Sequence, residues 1–168
     1  MRIVAVLAAL MLASAGAATP AARIGSGGVT VVLPAGWHTW KPLAGLKPVI
    51  SEPARRIVAI SAPFGFAARG CQVAEYAFPA DAVALVVVEW VHLRDDSGWR
   101  RRPSHFTAAN LPLHPPPWIE CWGGPGGAIE FVDRGRHFGA YLLAGRRAKT
   151  TLVDRARAVL DTLRVASR

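Results

Sequence analysis

The residues of this chain whose types and spacing could do chemistry lie between positions 118 and 141. Residues 118–122 and 128–132 are two runs of strand length separated by the sequence GGPGG, which predicts a β-hairpin. Pairing Trp122 with Ala128 would put Glu120 opposite Glu130, and like charges destabilise a ladder unless a cation, an arginine or a ligand lies between them. Two carboxylates at such a separation could also cleave a glycosidic bond, with one kept protonated by its neighbour.

A second turn, at Arg134 and Gly135, is predicted to bring back residues 136–143 with Asp133 opposite Arg136. One face of this meander would then carry aromatic rings beside carboxylates: Trp118, Glu120, Trp122, Glu130, His137 and Tyr141. Rings stack on the C–H faces of sugars, and carboxylates accept protons from hydroxyl groups. We therefore expect a ligand-binding face made of Trp118, Glu120, Trp122, Glu130 and Tyr141. The alternative is that a loop covers these aromatic side chains.

The element that must position this face is the apolar run at residues 82–93, AVALVVVEWVHL, which predicts the central strand of a sheet. Side chains alternate along a strand, and both faces of this run are apolar, so we expect layers on both sides. Glu89 lies near the end of the run. We expect the strand to emerge into solvent there and Glu89 to meet an arginine.

The N-terminus is typical of a secretory signal peptide. Arg2 precedes an apolar run and a set of small residues that ends in an A-x-A site, which predicts cleavage after residue 17. We expect a secreted or extracytoplasmic protein without a lipid-modified cysteine, in which residues 18–28 form a flexible lead-in and residues 29–168 one domain. No later apolar run has the length of a membrane span, so no transmembrane segment is expected after cleavage.

The two cysteines, Cys71 and Cys121, are predicted to form one disulfide because the chain is expected outside the cytoplasm. Such a bond closes a loop of about 50 residues and contributes about 4 kcal/mol at most. The five histidines lack the spacing of a metal site, and neither phosphate-binding glycine loop nor serine-hydrolase elbow occurs. No metal or cofactor is expected.

The formal net charge of +9 is concentrated in the C-terminal part, where residues 133–168 hold nine basic and three acidic side chains. Residues 149–163 predict a helix with one apolar stripe and with charge pairs at i+3 or i+4 spacing on its other side. These pairs partly neutralise the helix, so no nucleic-acid partner is expected. The unpaired basic residues are Arg146, Arg147 and Lys149, and we expect them to attract anionic polymers or lipid headgroups.

The stretch at residues 29–37 resembles the opening of PsbP-like domains and of small secreted proteins of GC-rich, actinobacteria-like bacteria. A strand, VTVVL, runs into the motif L-P-x-G-W, and the matching residues are Val29, Val31, Leu33, Pro34, Gly36 and Trp37. The resemblance implies an antiparallel sheet backed by helices and carries no catalytic residue.

Among the remaining stretches, residues 55–61 predict a strand, residues 71–78 favour a short helix over a strand, and residues 95–103 a solvated turn. The fold class predicted is α+β: an antiparallel sheet with a C-terminal helix packed on it and one disulfide. The function predicted is a non-catalytic binding or interaction module of the cell envelope, whose partner is an envelope glycan, an anionic polymer or lipid headgroups. The alternatives are a small glycoside hydrolase that uses Glu120 and Glu130, and a structural or partner-binding protein.

Overall fold

The computed structural model describes residues 21–39, 54–62, 65–66, 76–91, 98–115 and 123–167. Their elements, in chain order, are β1 (Ala22–Ser26), β2 (Val29–Leu33), β3 (His38–Thr39), β4 (Ala54–Ile60), β5 (Gly65–Phe66), β6 (Tyr76–Ala77), β7 (Val83–Trp90), β8 (Arg100–Arg101), β9 (Gly126–Asp133), β10 (Arg136–Ala144), α1 (Thr150–Asp161) and β11 (Arg164–Val165). They form a six-stranded sheet in the order β3-β4-β7-β10-β9-β8, a three-stranded sheet in the order β1-β2-β11, and the pair β5-β6. The predicted α+β class and C-terminal helix are confirmed. Cys71 and Cys121 lie outside the described residues, so their disulfide stays a prediction.

The apolar run at residues 82–93 does provide the central strand. β7 lies between β4 and β10 and is antiparallel to both. Val83, Leu85 and Val87 point into the main core, which α1 and β2 also line, while Val86 and Val88 belong to a second buried cluster on the opposite face. The prediction that both faces of this strand are covered is confirmed.

The turn between β9 and β10 also forms as predicted, with Asp133 paired with Arg136. Arg134 and Gly135 have φ of 52° and 69°, the left-handed values that a two-residue hairpin turn requires at both central positions. The predicted hairpin of residues 118–122 with 128–132 stays a prediction, because residues 118–122 lie outside the described residues. β8 occupies the outer edge of β9 in parallel, with Arg100 opposite Phe131 and Arg101 opposite Val132. The stretch predicted as a solvated turn therefore supplies an edge strand.

Helix α1 lies on the six-stranded sheet through its predicted apolar stripe. Val153, Ala156, Val159 and Leu160 are buried, as is Leu163 just after the helix. The predicted threonine N-cap is wrong, because Lys149 occupies the cap position and makes no side-chain capping bond. The side chain of Thr162 connects the far end of the helix to β2. Its Oγ1 accepts a hydrogen bond from the Val32 amide at 2.8 Å and donates one to the Val159 carbonyl.

Of the predicted charge pairs on α1, one forms. Arg157 Nη1 lies 2.6 Å from Asp154 Oδ1. The Arg157 side chain is buried, and its Nε and Nη2 both donate hydrogen bonds to the Leu111 carbonyl. Asp161 accepts a hydrogen bond from the Phe106 amide at 2.8 Å. Tertiary partners outside the helix therefore replace two of the predicted pairs.

The segment 18–28, predicted as a flexible lead-in, contains β1, so that prediction is wrong for Ala22–Ser26. β1 pairs with β2 along its whole length, from Ala22 opposite Leu33 to Ser26 opposite Val29. Gly27 and Gly28 have φ of 58° and 76°. The glycines that suggested flexibility thus form the tight turn of a hairpin, a conformation that favours glycine. The helix preferred for residues 71–78 is also wrong at Tyr76–Ala77, which is strand β6 paired with β5.

Glu89 meets an arginine, as predicted, but it does so inside the protein. Its carboxylate is 1% exposed and accepts two hydrogen bonds from Arg136, at 2.8 Å from Nε and 2.7 Å from Nη2. Arg136, 5% exposed, also donates to the carbonyls of Gly27 and Ala166. The expectation that the strand emerges into solvent at Glu89 is therefore wrong. One guanidinium instead joins β7, the β1-β2 turn and the chain after β11.

Candidate ligand-binding face

Two of the five residues predicted to bind a ligand lie in the described part of the chain, and they share a face of the six-stranded sheet. Glu130, on β9, is opposite Gly139 of β10, and Tyr141 lies two residues further along β10. Residues at such diagonal positions on neighbouring strands are within reach of each other. Trp118, Glu120 and Trp122 lie outside the described residues.

The register places further aromatic side chains around this pair. Trp90, at the end of β7, is opposite His137 of β10. The ring of Trp99, the residue before β8, meets His137 edge-on, with ring centroids 5.3 Å apart. We call Trp90, Trp99, Glu130, His137 and Tyr141 the aromatic face. Glu130 is exposed and the four rings are partly exposed.

Gly139 lies beneath the rings of the aromatic face. A Cβ at this position would be 3.2 Å from Tyr141 Cε2 and 3.4 Å from Trp90 Nε1. The missing side chain therefore lets both rings lie directly against the backbone of β10. The sheet holds these rings from below, which limits the rotamer entropy that would be lost when a ligand stacks on them.

Tyr141 and Glu130 supply a hydrogen-bond donor and an acceptor on this face. Burial raises the pKa of the Tyr141 hydroxyl above its ordinary value, and the negative charge of Glu130 raises it further. Tyr141 is consequently a protonated hydrogen-bond donor at neutral pH, beside an exposed carboxylate that accepts. The other two carboxylates of the described strands belong to the opposite face, where Glu89 binds Arg136 and Asp133 binds Arg102.

Sequence reasoning placed His137 on this face but missed Trp90 and Trp99. The alternation along β7 does separate Trp90 from Glu89, but linking it to Glu130 requires the register between β7 and β10. Trp99 reaches the face because β8 joins β9 in parallel, a pairing between segments about 30 residues apart that no local pattern indicates.

The predicted basic group is exposed in the turn between β10 and α1. Arg146, Arg147 and Lys149 all face solvent, and Arg146 Nε donates to the Gly123 carbonyl at 3.0 Å. The backbone of this turn is fixed by hydrogen bonds from Gly145 to Ala82 and from Arg147 to Ala80. A Cβ on Gly145 would overlap the Ala80 carbonyl, so the close approach requires glycine.

Within the described ranges, no group of three or more histidine, cysteine or acidic side chains could hold a metal ion. The helix of the described part is too short and too polar to cross a membrane. Comparison of the chain with protein-family models, with curated proteins and with solved structures finds no match. The resemblance of residues 29–37 to PsbP-like domains stays a prediction.

Proposed function

We propose that this protein is a non-catalytic extracytoplasmic module that binds an envelope glycan through the aromatic face. The observation that carries the proposal is the grouping of four partly exposed rings and one exposed carboxylate on one face of the sheet, with two of the rings against Gly139. Apolar ring surfaces contact the C–H faces of a sugar, while the Tyr141 hydroxyl donates to, and the Glu130 carboxylate accepts from, its hydroxyl groups. The extracytoplasmic location rests on the signal peptide predicted at residues 1–17.

The same face favours binding over hydrolysis. Glycoside cleavage needs two carboxyl groups on either side of the scissile bond. Glu130 is the one carboxylate that the described strands bring to this face, because Glu89 and Asp133 point to the other side. The predicted second carboxylate, Glu120, lies outside the described residues.

The test is retention of the purified protein on peptidoglycan sacculi, chitin and cellulose, at low salt and at about 1 M salt, where charge attraction is screened beyond about 3 Å. We expect retention on at least one glycan to persist at high salt, since ring stacking does not depend on charge. Trp99→Ala and Glu130→Gln should each weaken it by about fivefold or more, the equivalent of about 1 kcal/mol.

Asp81→Asn is the matched control for Glu130→Gln, because Asp81 is an exposed carboxylate in the turn before β7, away from the aromatic face. Equal losses in the two carboxylate variants, or no retention on any of the three glycans, would contradict the proposal. Release of reducing ends that depends on Glu130 would instead favour the hydrolase.

A further inference from the structure

A second site lies at the C-terminal end of α1, remote from the aromatic face. A cavity of about 370 Å³ opens between β8, the β9-β10 turn, the end of α1 and β11. Its charged lining consists of four arginines and two aspartates: Arg101, Arg102, Arg134, Arg164, Asp133 and Asp161. This volume is within the range of small-molecule sites, about 300–1,000 Å³.

The two aspartates are already engaged by the protein. Asp133 Oδ2 accepts from Arg102 Nη1 at 3.1 Å. Asp161 Oδ1 accepts the Phe106 amide, and its other oxygen lies 3.5 Å from His105 Nδ1. Asp133 is thus paired with one arginine, and Asp161 offsets part of the charge of the other three, so four arginines and two aspartates leave the lining with a net charge of +2.

Arg102 changes the electrostatics of the helix end. Its Nη1 donates to the Leu163 carbonyl at 3.0 Å, and its Nη2 donates to the carbonyls of Leu160 and Asp161. The C-terminus of a helix carries partial negative charge that would repel an anion. The guanidinium donates to these three carbonyls and offsets their partial negative charge, so the helix end beside the cavity does not repel an anion.

The other three arginines of the lining have no carboxylate partner among the described residues. Arg101, Arg134 and Arg164 are exposed, and none of them forms an ion pair with a carboxylate of the described residues. The side chains of Arg134 and Arg164 donate hydrogen bonds to neutral oxygens, the Ser167 hydroxyl and the Leu163 carbonyl. Three like charges around one cavity repel one another unless an anion lies between them.

We propose that this cavity binds a phosphate group, carried by a small phosphorylated molecule or by a phospholipid headgroup. Guanidinium groups donate paired hydrogen bonds that match the oxygens of phosphate. The site does not rest on the glycan-binding proposal, because no residue of the aromatic face lines it. It also differs from the predicted anion-binding residues Arg146, Arg147 and Lys149, which precede α1. The 12 residues of the helix separate the two groups by about 18 Å.

The experiment is calorimetric titration of the full mature chain with glycerol 3-phosphate and pyrophosphate, together with co-sedimentation on phosphatidylcholine vesicles with and without phosphatidylglycerol. The test variant is Arg134→Gln with Arg164→Gln. The control is Arg146→Gln with Arg147→Gln, which removes the same charge at the opposite end of α1. The single variant Arg101→Gln supplies an independent test if the double variant unfolds, since Arg101 is exposed on an edge strand.

We expect the test variant to weaken binding by about tenfold or more, because charge-assisted hydrogen bonds from two arginines are lost. The control should stay within about twofold at about 0.2 M salt, where distant charges are screened. Binding of the soluble phosphates identifies a small-molecule ligand, and binding confined to phosphatidylglycerol vesicles identifies a lipid headgroup. Equal losses in the two double variants, or no binding to any of these probes, would overturn the proposal.

Discussion

Replacing Arg136 with methionine tests whether the buried pair with Glu89 organises the fold. The substitution removes two charge-assisted hydrogen bonds from a carboxylate that is 1% exposed, and it leaves the carbonyls of Gly27 and Ala166 without their donor. The bond to Glu89 raises the pKa of Arg136 above its ordinary value, so the arginine is charged at every pH of interest. The buried carboxylate, which loses both bonds to the guanidinium, is the main source of the expected loss.

The size of the effect follows from burial. Removing one member of a buried pair costs about 3–5 kcal/mol, whereas an exposed pair contributes at most about 1 kcal/mol. With a urea dependence of about 2 kcal/mol per molar, a loss of about 4 kcal/mol lowers the unfolding midpoint by about 2 M. Urea titration followed by circular dichroism measures this shift.

The double variant Glu89→Met with Arg136→Met separates the charge from the packing. Because no buried charge is left unpaired, we expect it to be more stable than Arg136→Met alone, with a coupling energy of about 2 kcal/mol or more. Arg155→Met is the control, since Arg155 is exposed on α1, and it should change stability by less than about 0.5 kcal/mol. A loss below about 1 kcal/mol for Arg136→Met, or strictly additive effects of the two substitutions, would refute the reasoning.

Three further outcomes are expected. Gly145→Ala should lower the free energy of unfolding by about 1–3 kcal/mol, because the added Cβ overlaps a backbone carbonyl. Gly123→Ala, whose Cβ meets a side-chain atom at 3.7 Å, should have little effect. Similar losses in the two variants would contradict this packing. Arg102→Met should cost about 1–3 kcal/mol in the same titration, since Asp133 loses its partner and the carbonyls of Leu160 and Leu163 each lose one of two donors. An unchanged midpoint would show that water replaces the guanidinium. Tyr141 should ionise above pH 10 in an ultraviolet titration of the folded protein, because its pKa is raised. The stability that the protonated form contributes is therefore complete below about pH 10 and is lost as the pH rises through the raised pKa. Glu130→Gln should lower that pKa only part of the way, because burial is its larger cause, and no change would show that Glu130 does not act on the phenol.

Local patterns were sufficient for several elements, although not for β1, whose glycine turn was interpreted as flexible. The β9-β10 hairpin follows from its turn residues, and α1 follows from the 3.6-residue spacing of its apolar stripe. On β7, alternation separates the two faces. In each case one short period in the sequence decides which side chains are buried.

The wrong predictions for Glu89 and β8 share a different physical origin, which is pairing between distant segments. Glu89 looked like the end of a strand entering solvent, because its partner Arg136 follows 47 residues later. β8 looked like a turn, since Arg100 and Arg101 have neither the alternation nor the apolar character of a strand, and only the free edge of β9 makes them one. The candidate face was found in part for the same reason: Glu130 and Tyr141 lie on adjacent strands of one hairpin, whereas Trp90 and Trp99 come from elsewhere.

The three-stranded sheet has a consequence for the order in which the chain can fold during synthesis. β2 hydrogen-bonds to β1 at once, since only two residues separate them, but its other edge pairs with β11 and its Val32 amide with Thr162, 130 residues later. A nascent chain therefore carries β2 with one open edge until β11 has emerged. Open edges are where a strand pairs with the wrong chain. The interval between the synthesis of β2 and that of β11 is thus a period in which this protein is exposed to aggregation, and a factor that shields β2 would act then.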